Sequence, residues 1–201
     1  ESQFNHNITQ EASKERGEMI KKHISIYEQK LNECPFIEKW TPNRSESILH
    51  SQSQSDIFND KDESHKLLLR FIGKNFFDIH GLKITDGELP DSEKMRLDQN
   101  IVLNETAMKL FGYKEVEEAF IRSKEALWFS YNTETQKVVQ GGLEPMPVQA
   151  VVSDFYSGHV SEGVKPILFI VNNERMEGSV AITVQKGKEK ETIDYLKQMV
   201  K

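Results

Sequence analysis

The sequence predicts an α+β fold, and three observations carry that expectation. Apolar residues recur at helical spacing near both chain ends, at Ile20, Ile24, Tyr27 and Leu31 and again at Ile193, Leu196 and Val200. Short runs rich in β-branched or aromatic residues dominate the interior and the approach to the second helix. Turn signals, including Gly141-Gly142, Pro145, Pro147, Gly158 and Gly163, separate those runs, and no internal repeat is visible.

Taken in order, Phe4–Thr9 alternates weakly and is expected to form a short strand. Glu11–Glu33 is expected to be a helix, with Lys21, Lys22, Glu28 and Lys30 mostly off its apolar stripe. Pro35 stops it, because proline disfavours helical geometry in the residue before it, and Phe36–Trp40 is then extended. Arg44–Glu63 shifts to Ser, Gln, Asn and Asp and is expected to be a loop or a crossing between subdomains.

His65–Ile72 reads as a strand. Asn75–His80 is expected to give one or two helical turns closed by Gly81, and Leu82–Leu89 a short extended piece turning at Asp86-Gly87. Ile101–Leu103 is a brief buried strand running into a helix that Asn104 caps and Gly112 closes. Such a cap is worth about 1 kcal/mol, and Glu105 beside it complements the helix dipole. Lys114–Arg122 is expected to be a second short helix. Strands follow at Leu127–Tyr131, Val148–Asp154, Ile167–Val171 and Val180–Val184, before a closing helix over Glu189–Val200.

Length and charge bound the function. The 201 residues suffice for one sizeable domain or two small subdomains. With 26 Lys and Arg against 32 Asp and Glu, the net charge of −6 disfavours nucleic-acid and anionic-lipid partners. No run approaches the roughly 18 apolar residues of a membrane span, the longest being Pro166–Val171. The chain opens at Glu1 without an initiator Met and stops at Lys201 directly behind a helical stretch, so both ends are expected to continue in a longer parent protein. The single cysteine, Cys34, permits no internal disulfide and is expected to be a buried thiol.

Candidate chemistry is sparse. The six histidines, at positions 6, 23, 50, 65, 80 and 159, form no H-x-x-x-H or H-x-H pair, so metal spacing is absent. His80, before Gly81, suits a cation at a helix C-terminus. Ser157-Gly158-His159 lacks the G-x-S-x-G elbow of a nucleophile and fits turn residues better. Gly141-Gly142 and the Gly158–Gly163 stretch lack the phosphate-loop spacing and read as turns. Asp154, at the end of an apolar strand, is suited either to a general base or, more ordinarily, to accepting hydrogen bonds from the next turn. The sequence thus assigns no catalytic residue, no cofactor-binding residue and no metal ligand.

Several segments together resemble a known family. Ile101-Val-Leu-Asn-Glu-Thr-Ala-Met-Lys-Leu-Phe-Gly112 and Pro147-Val-Gln-Ala-Val-Val-Ser-Asp-Phe155, followed by Val164–Phe169, are similar in order and separation to the extracytoplasmic (periplasmic core) domain of MacB/FtsX-like ABC transporter permeases. Asn75–Leu82 with Asp86-Gly87, and Ser179–Val184 with the helix behind it, extend the resemblance over Phe76–Lys201. Ala150 and Glu88 stand where the family often has Gly and Arg, and Lys114–Ser123 replaces a short hairpin.

The resemblance implies two α/β subdomains: a porter-like one formed by residues 1–49 plus 174–201, and an inserted one over 50–173. It implies a domain on the periplasmic side of the cell inner membrane, between two membrane helices of a permease. It also implies a non-catalytic, mechanical role without a cofactor. ATP would be hydrolysed by a cytoplasmic ABC ATPase subunit or domain, which fits the lack of a phosphate-loop motif. Self-association in the full transporter and a periplasmic partner protein or exported substrate are the partners implied. The competing readings are a ligand- or peptide-binding sensor module of a membrane protein, which an apolar groove would favour, and a hydrolytic domain, which would need a partnered Asp154 or histidine in a cleft.

Overall fold

Apolar spacing places the first helix where it was expected. In the computed structural model, which describes residues 19, 22–43, 53–73, 75–89, 101–132, 137–157, 159–171 and 179–199, helix α1 covers 22–33. Leu31 is buried and Ile24 and Tyr27 half-buried on its inner stripe, while Ile20, like the expected Phe4–Thr9 strand, lies outside the described residues. Buried Cys34 and Pro35 end the helix, and strand β1 follows over Ile37–Asn43.

Near the other terminus, strand β11 (Ser179–Val184) lies beside β1 and leads to helix α4 (Glu189–Met199). Gln185 N–H donates to the Phe36 carbonyl at 3.0 Å, and the Tyr195 hydroxyl to the Lys30 carbonyl at 2.8 Å. These elements make one compact unit, Glu1–Trp40 with Ile182–Lys201. The inner face of α4 differs from the expected Ile193–Leu196–Val200 stripe. Thr192 is buried, Tyr195, Leu196 and Met199 are half-buried, and Ile193 is 51% exposed; Val200 lies outside the described residues. Thr192 tolerates the inward position because its hydroxyl donates to the Lys188 carbonyl at 2.8 Å.

The second unit spans Thr41–Ala181 and holds most of the strands. They are β2 (Gln54–Phe58), β3 (Ser64–Ile72), β4 (Ile84–Gly87), β5 (Ile101–Asn104), β6 (Phe120–Ser123), β7 (Trp128–Asn132), β8 (Lys137–Gly141), β9 (Met146–Val152) and β10 (Ile167–Val171). Helices α2 (Phe76–Ile79) and α3 (Glu105–Phe111) lie between them. The pairings close on themselves in the order β10-β5-β9-β6-β2-β3 and back to β10, while β7 and β8 form a separate hairpin. Closure covers most of the strand edges that an open sheet would expose. The β3–β10 and β5–β9 pairs are parallel and the other four links antiparallel.

Alternation along these strands builds two cores. In β10, Leu168 and Ile170 join a cluster with Ala107, Met108 and Phe111 of α3, while Ile167, Phe169 and Val171 join a second with Phe76 and Phe77 of α2. β3 and β5 split the same way, Leu67, Leu69, Ile101 and Leu103 against Leu68, Ile72 and Val102. Burial of both faces is why these strands read as continuous apolar runs. The Phe77 and Phe169 rings meet edge to face at 5.1 Å between centroids, and Phe155 joins them from beyond β9.

Two expectations are corrected here. The polar stretch taken as a loop over Arg44–Glu63 contains β2, whose Ile57 and Phe58 are buried while Gln54 and Asp56 face solvent. The helix expected over Lys114–Arg122 is a single 3-10 turn, Val116–Glu118, followed by β6. Pairing of Ile121 with Met146, and of Ser123 with Ile57, outweighs the helical propensity of the Glu-rich segment.

Candidate functional site

A dense polar arrangement of the second unit forms where β5 turns into α3. Asn104 has extended backbone, φ −85° and ψ 165°, and its side-chain oxygen accepts from Ala107 N–H at 3.2 Å, which is the expected N-cap. Gly112 closes the helix in the left-handed region, at φ 76°. The same Asn104 oxygen also accepts from Ile167 N–H at 2.8 Å, at the start of β10. Its amide nitrogen donates to Asp154 Oδ1 at 2.8 Å and to the Lys165 carbonyl at 3.0 Å. Asn104 is fully buried with both its donors and both its acceptor sites in use.

Asp154 completes the arrangement from just beyond β9. It accepts from Thr106 N–H at 2.9 Å on Oδ1 and from the Thr106 hydroxyl at 2.7 Å on Oδ2. Of the two roles open to it, the geometry provides the acceptor's, although the donors come from α3 rather than from the turn that follows Asp154. The result is a clasp that ties the ends of β5, β9 and β10 to the first turn of α3, with a carboxylate at the positive end of the helix.

The other residues singled out by sequence do not converge. Ser157 is buried, while His159 is exposed and has Nδ1 2.7 Å from the Ser161 hydroxyl, where it caps the turn Val160–Glu162. His65 packs edge to face on Phe111 at 5.3 Å, His23 is exposed on α1, and residues 6 and 50 lie outside the described residues. His80 stands 4.5 Å from the Phe76 ring, and partial burial pushes its pKa below the ordinary value. That favours the neutral imidazole over the helix-end cation expected from sequence. Of the two glycines expected in a turn, Gly142 begins one, with φ +99°, whereas Gly141 ends β8 opposite Trp128, where a side chain would meet the indole at 1.9 Å.

Two features escaped the sequence. Asp86, Glu115 and Glu117 bring carboxylate oxygens within 4.8 Å of one another, the hard donor type that suits Ca²⁺ or Mg²⁺. Asp86 already accepts from Gly87 N–H and Val116 N–H, each at 2.9 Å, so it clamps β4 to the 3-10 turn. The second is a cleft of about 310 Å³ beside β2, bordered by Phe58, Lys124 and Leu127. Lys124 Nζ stands 4.4 Å from the centre of the Phe58 ring, and the Arg122 guanidinium 5.5 Å from it. Each feature joins segments well separated in sequence, residues 54–58 with 123–127 in the cleft and Asp86 with Glu115 and Glu117 in the carboxylate group, so no local motif announced them.

No protein-family model matches the chain, and no curated protein matches its sequence. Among solved structures, it is similar to the periplasmic region of MacB from Actinobacillus actinomycetemcomitans, with a TM-score of 0.52 and 19% identity over 84% of this chain and 67% of that one. A permease-protein domain from Porphyromonas gingivalis aligns at 0.48 and 13% identity, over 83% and 72% of the two chains. The extracellular domain of the noncanonic ABC-type transporter YknZ from Gram-positive bacteria aligns at 0.48 and 12%, over 85% and 75%. The chain has the α+β fold of the MacB periplasmic region.

Proposed function

We propose that this chain is the extracytoplasmic domain of an ABC transporter permease of the MacB/FtsX type and acts without catalysis of its own. The observation that carries the reading is the shared fold with the MacB periplasmic region over 84% of the chain. The signature around Ile101–Gly112 and Pro147–Phe155 supports it, because those segments are the ones that build the Asn104–Asp154 clasp. On this reading the unit formed by both chain ends is the porter-like subdomain and the Thr41–Ala181 unit is the inserted one.

The mechanism is mechanical. ATP is hydrolysed by a cytoplasmic ABC ATPase subunit or domain, and the membrane helices of the permease pass the motion to this domain on the periplasmic side of the inner membrane. The domain then acts on an exported substrate or a partner protein, and copies of it associate in the full transporter. A packed double core fixed by the clasp suits an element that must transmit force without deforming.

The test is made in the reconstituted parent transporter, by replacing this domain with a short flexible linker. Basal ATP hydrolysis is expected to persist while transport, or action on the partner, is lost. Retention of full transport would overturn the coupling role.

A further inference from the structure

We infer that the cleft beside β2 receives an extended peptide, which pairs with the open part of that strand's edge. Residues of an antiparallel pair alternate between facing their partner strand and facing away from it. Leu69 N–H donates to the Ser53 carbonyl at 2.9 Å, and Ser55 and Ile57 stand opposite Leu67 and His65 in the same register. The backbone groups of Gln54, Asp56 and Phe58 are thereby turned away from β3.

Strand β6 covers that far edge only at Ile57 and Phe58, opposite Ser123 and Arg122. From Lys124 the chain leaves the ladder, and among the described residues no strand pairs with Gln54 or Asp56 on that side. The Asp56 N–H and both backbone groups of Gln54 therefore face the cleft of about 310 Å³. Groups repeating every second residue along a strand edge match an extended chain, the pairing used wherever a peptide adds a strand to a sheet.

The lining narrows the partner. Gln54, Ser55, Asp56 and Glu125 make the walls mainly polar, which suits peptide units better than an apolar ligand. The carboxylates of Asp56 and Glu125 stand against the ammonium of Lys124 over the Phe58 ring, while Arg122, on the same ring, is paired with Asp62. The balance favours a peptide carrying a basic side chain, and Leu127 offers an apolar wall for its neighbour. The inference concerns the Thr41–Ala181 unit alone and stands independently of the transporter reading.

The test titrates the ¹⁵N-labelled chain with the blocked hexapeptide Thr-Val-Lys-Val-Thr-Val, up to millimolar concentration, following backbone amide shifts. The Asp56, Gln54 and Lys124 amides are expected to move in a saturable way. The same peptide N-methylated at its two central residues, which blocks either edge, is expected to bind about tenfold more weakly or worse. Asp56→Pro removes the donor that faces the cleft while sparing the ladder to β3, and is expected to abolish the shifts. Should that variant fail to fold, the peptide pair on the unaltered protein decides. No movement at these amides, or equal binding of the N-methylated peptide, overturns the inference.

Discussion

Replacing Asn104 with alanine removes more than a helix cap, and the structure fixes how much more. A lost N-cap costs about 1 kcal/mol. The same oxygen also serves Ile167 N–H at 2.8 Å, in a residue with no exposed surface, and orphaning a buried N–H costs about 1–3 kcal/mol. The Lys165 carbonyl and Asp154 lose a donor as well, but Asp154 keeps both bonds from Thr106. The expected loss is therefore about 2–4 kcal/mol, a large part of the roughly 5–15 kcal/mol that holds a domain together. Urea unfolding followed by fluorescence of Trp128, which is buried in the same unit, measures it. For a urea slope of about 2 kcal/mol per molar, the midpoint falls by about 1–2 M. Asn104→Asp keeps the acceptor but sets a second carboxylate against Asp154, so it too is expected to destabilise. A loss of 1 kcal/mol or less for Asn104→Ala would show that the cap alone is at work and would refute the clasp.

Three further predictions follow from the same packing. Asp154→Asn retains the shape and can satisfy Thr106 with a reoriented hydroxyl, so it is expected to cost about 1 kcal/mol, whereas Asp154→Leu strands the Thr106 N–H and Asn104 amide and costs about 3 kcal/mol in chemical unfolding. Gly141→Ala drives a methyl into the Trp128 indole and is expected to cost about 1–3 kcal/mol, read as a lowered midpoint with a red-shifted tryptophan emission. His80 has a folded pKa pushed below 6.5 by partial burial, so the unfolded chain binds more protons in that window and stability falls as pH drops below 6.5. The unfolding midpoints of wild type and His80→Asn are expected to run parallel above pH 7 and to diverge below about pH 6.5, with the wild type losing more.

Local signals were legible and distant ones were not. The change from Ile101–Leu103 to the helix capped by Asn104 and closed by Gly112 could be read because cap, dipole and stop all lie within 12 residues. The strand at Ile167–Val171 was legible because both its faces are buried and its apolar run is unbroken. β2 was hidden because its first residues face solvent, so Gln54–Asp56 keep a loop's composition. β6 was misread because Lys114–Arg122 is rich in good helix formers, while its strand partners at Ile57 and Met146 lie tens of residues away. The clasp was half visible. The cap at Asn104 is a local pattern, but its bonds to Asp154, Lys165 and Ile167 cross 50 to 63 residues and leave no trace in spacing.

On the proposed reading, this fold is the extracytoplasmic part of a permease and membrane spans flank it. The measurement that tests it most directly is the sequence of the parent reading frame on both sides of Glu1 and Lys201. A run of about 20 apolar residues is expected shortly before Glu1 and another shortly after Lys201, with two more spans beyond the second. Polar flanks on both sides would contradict it.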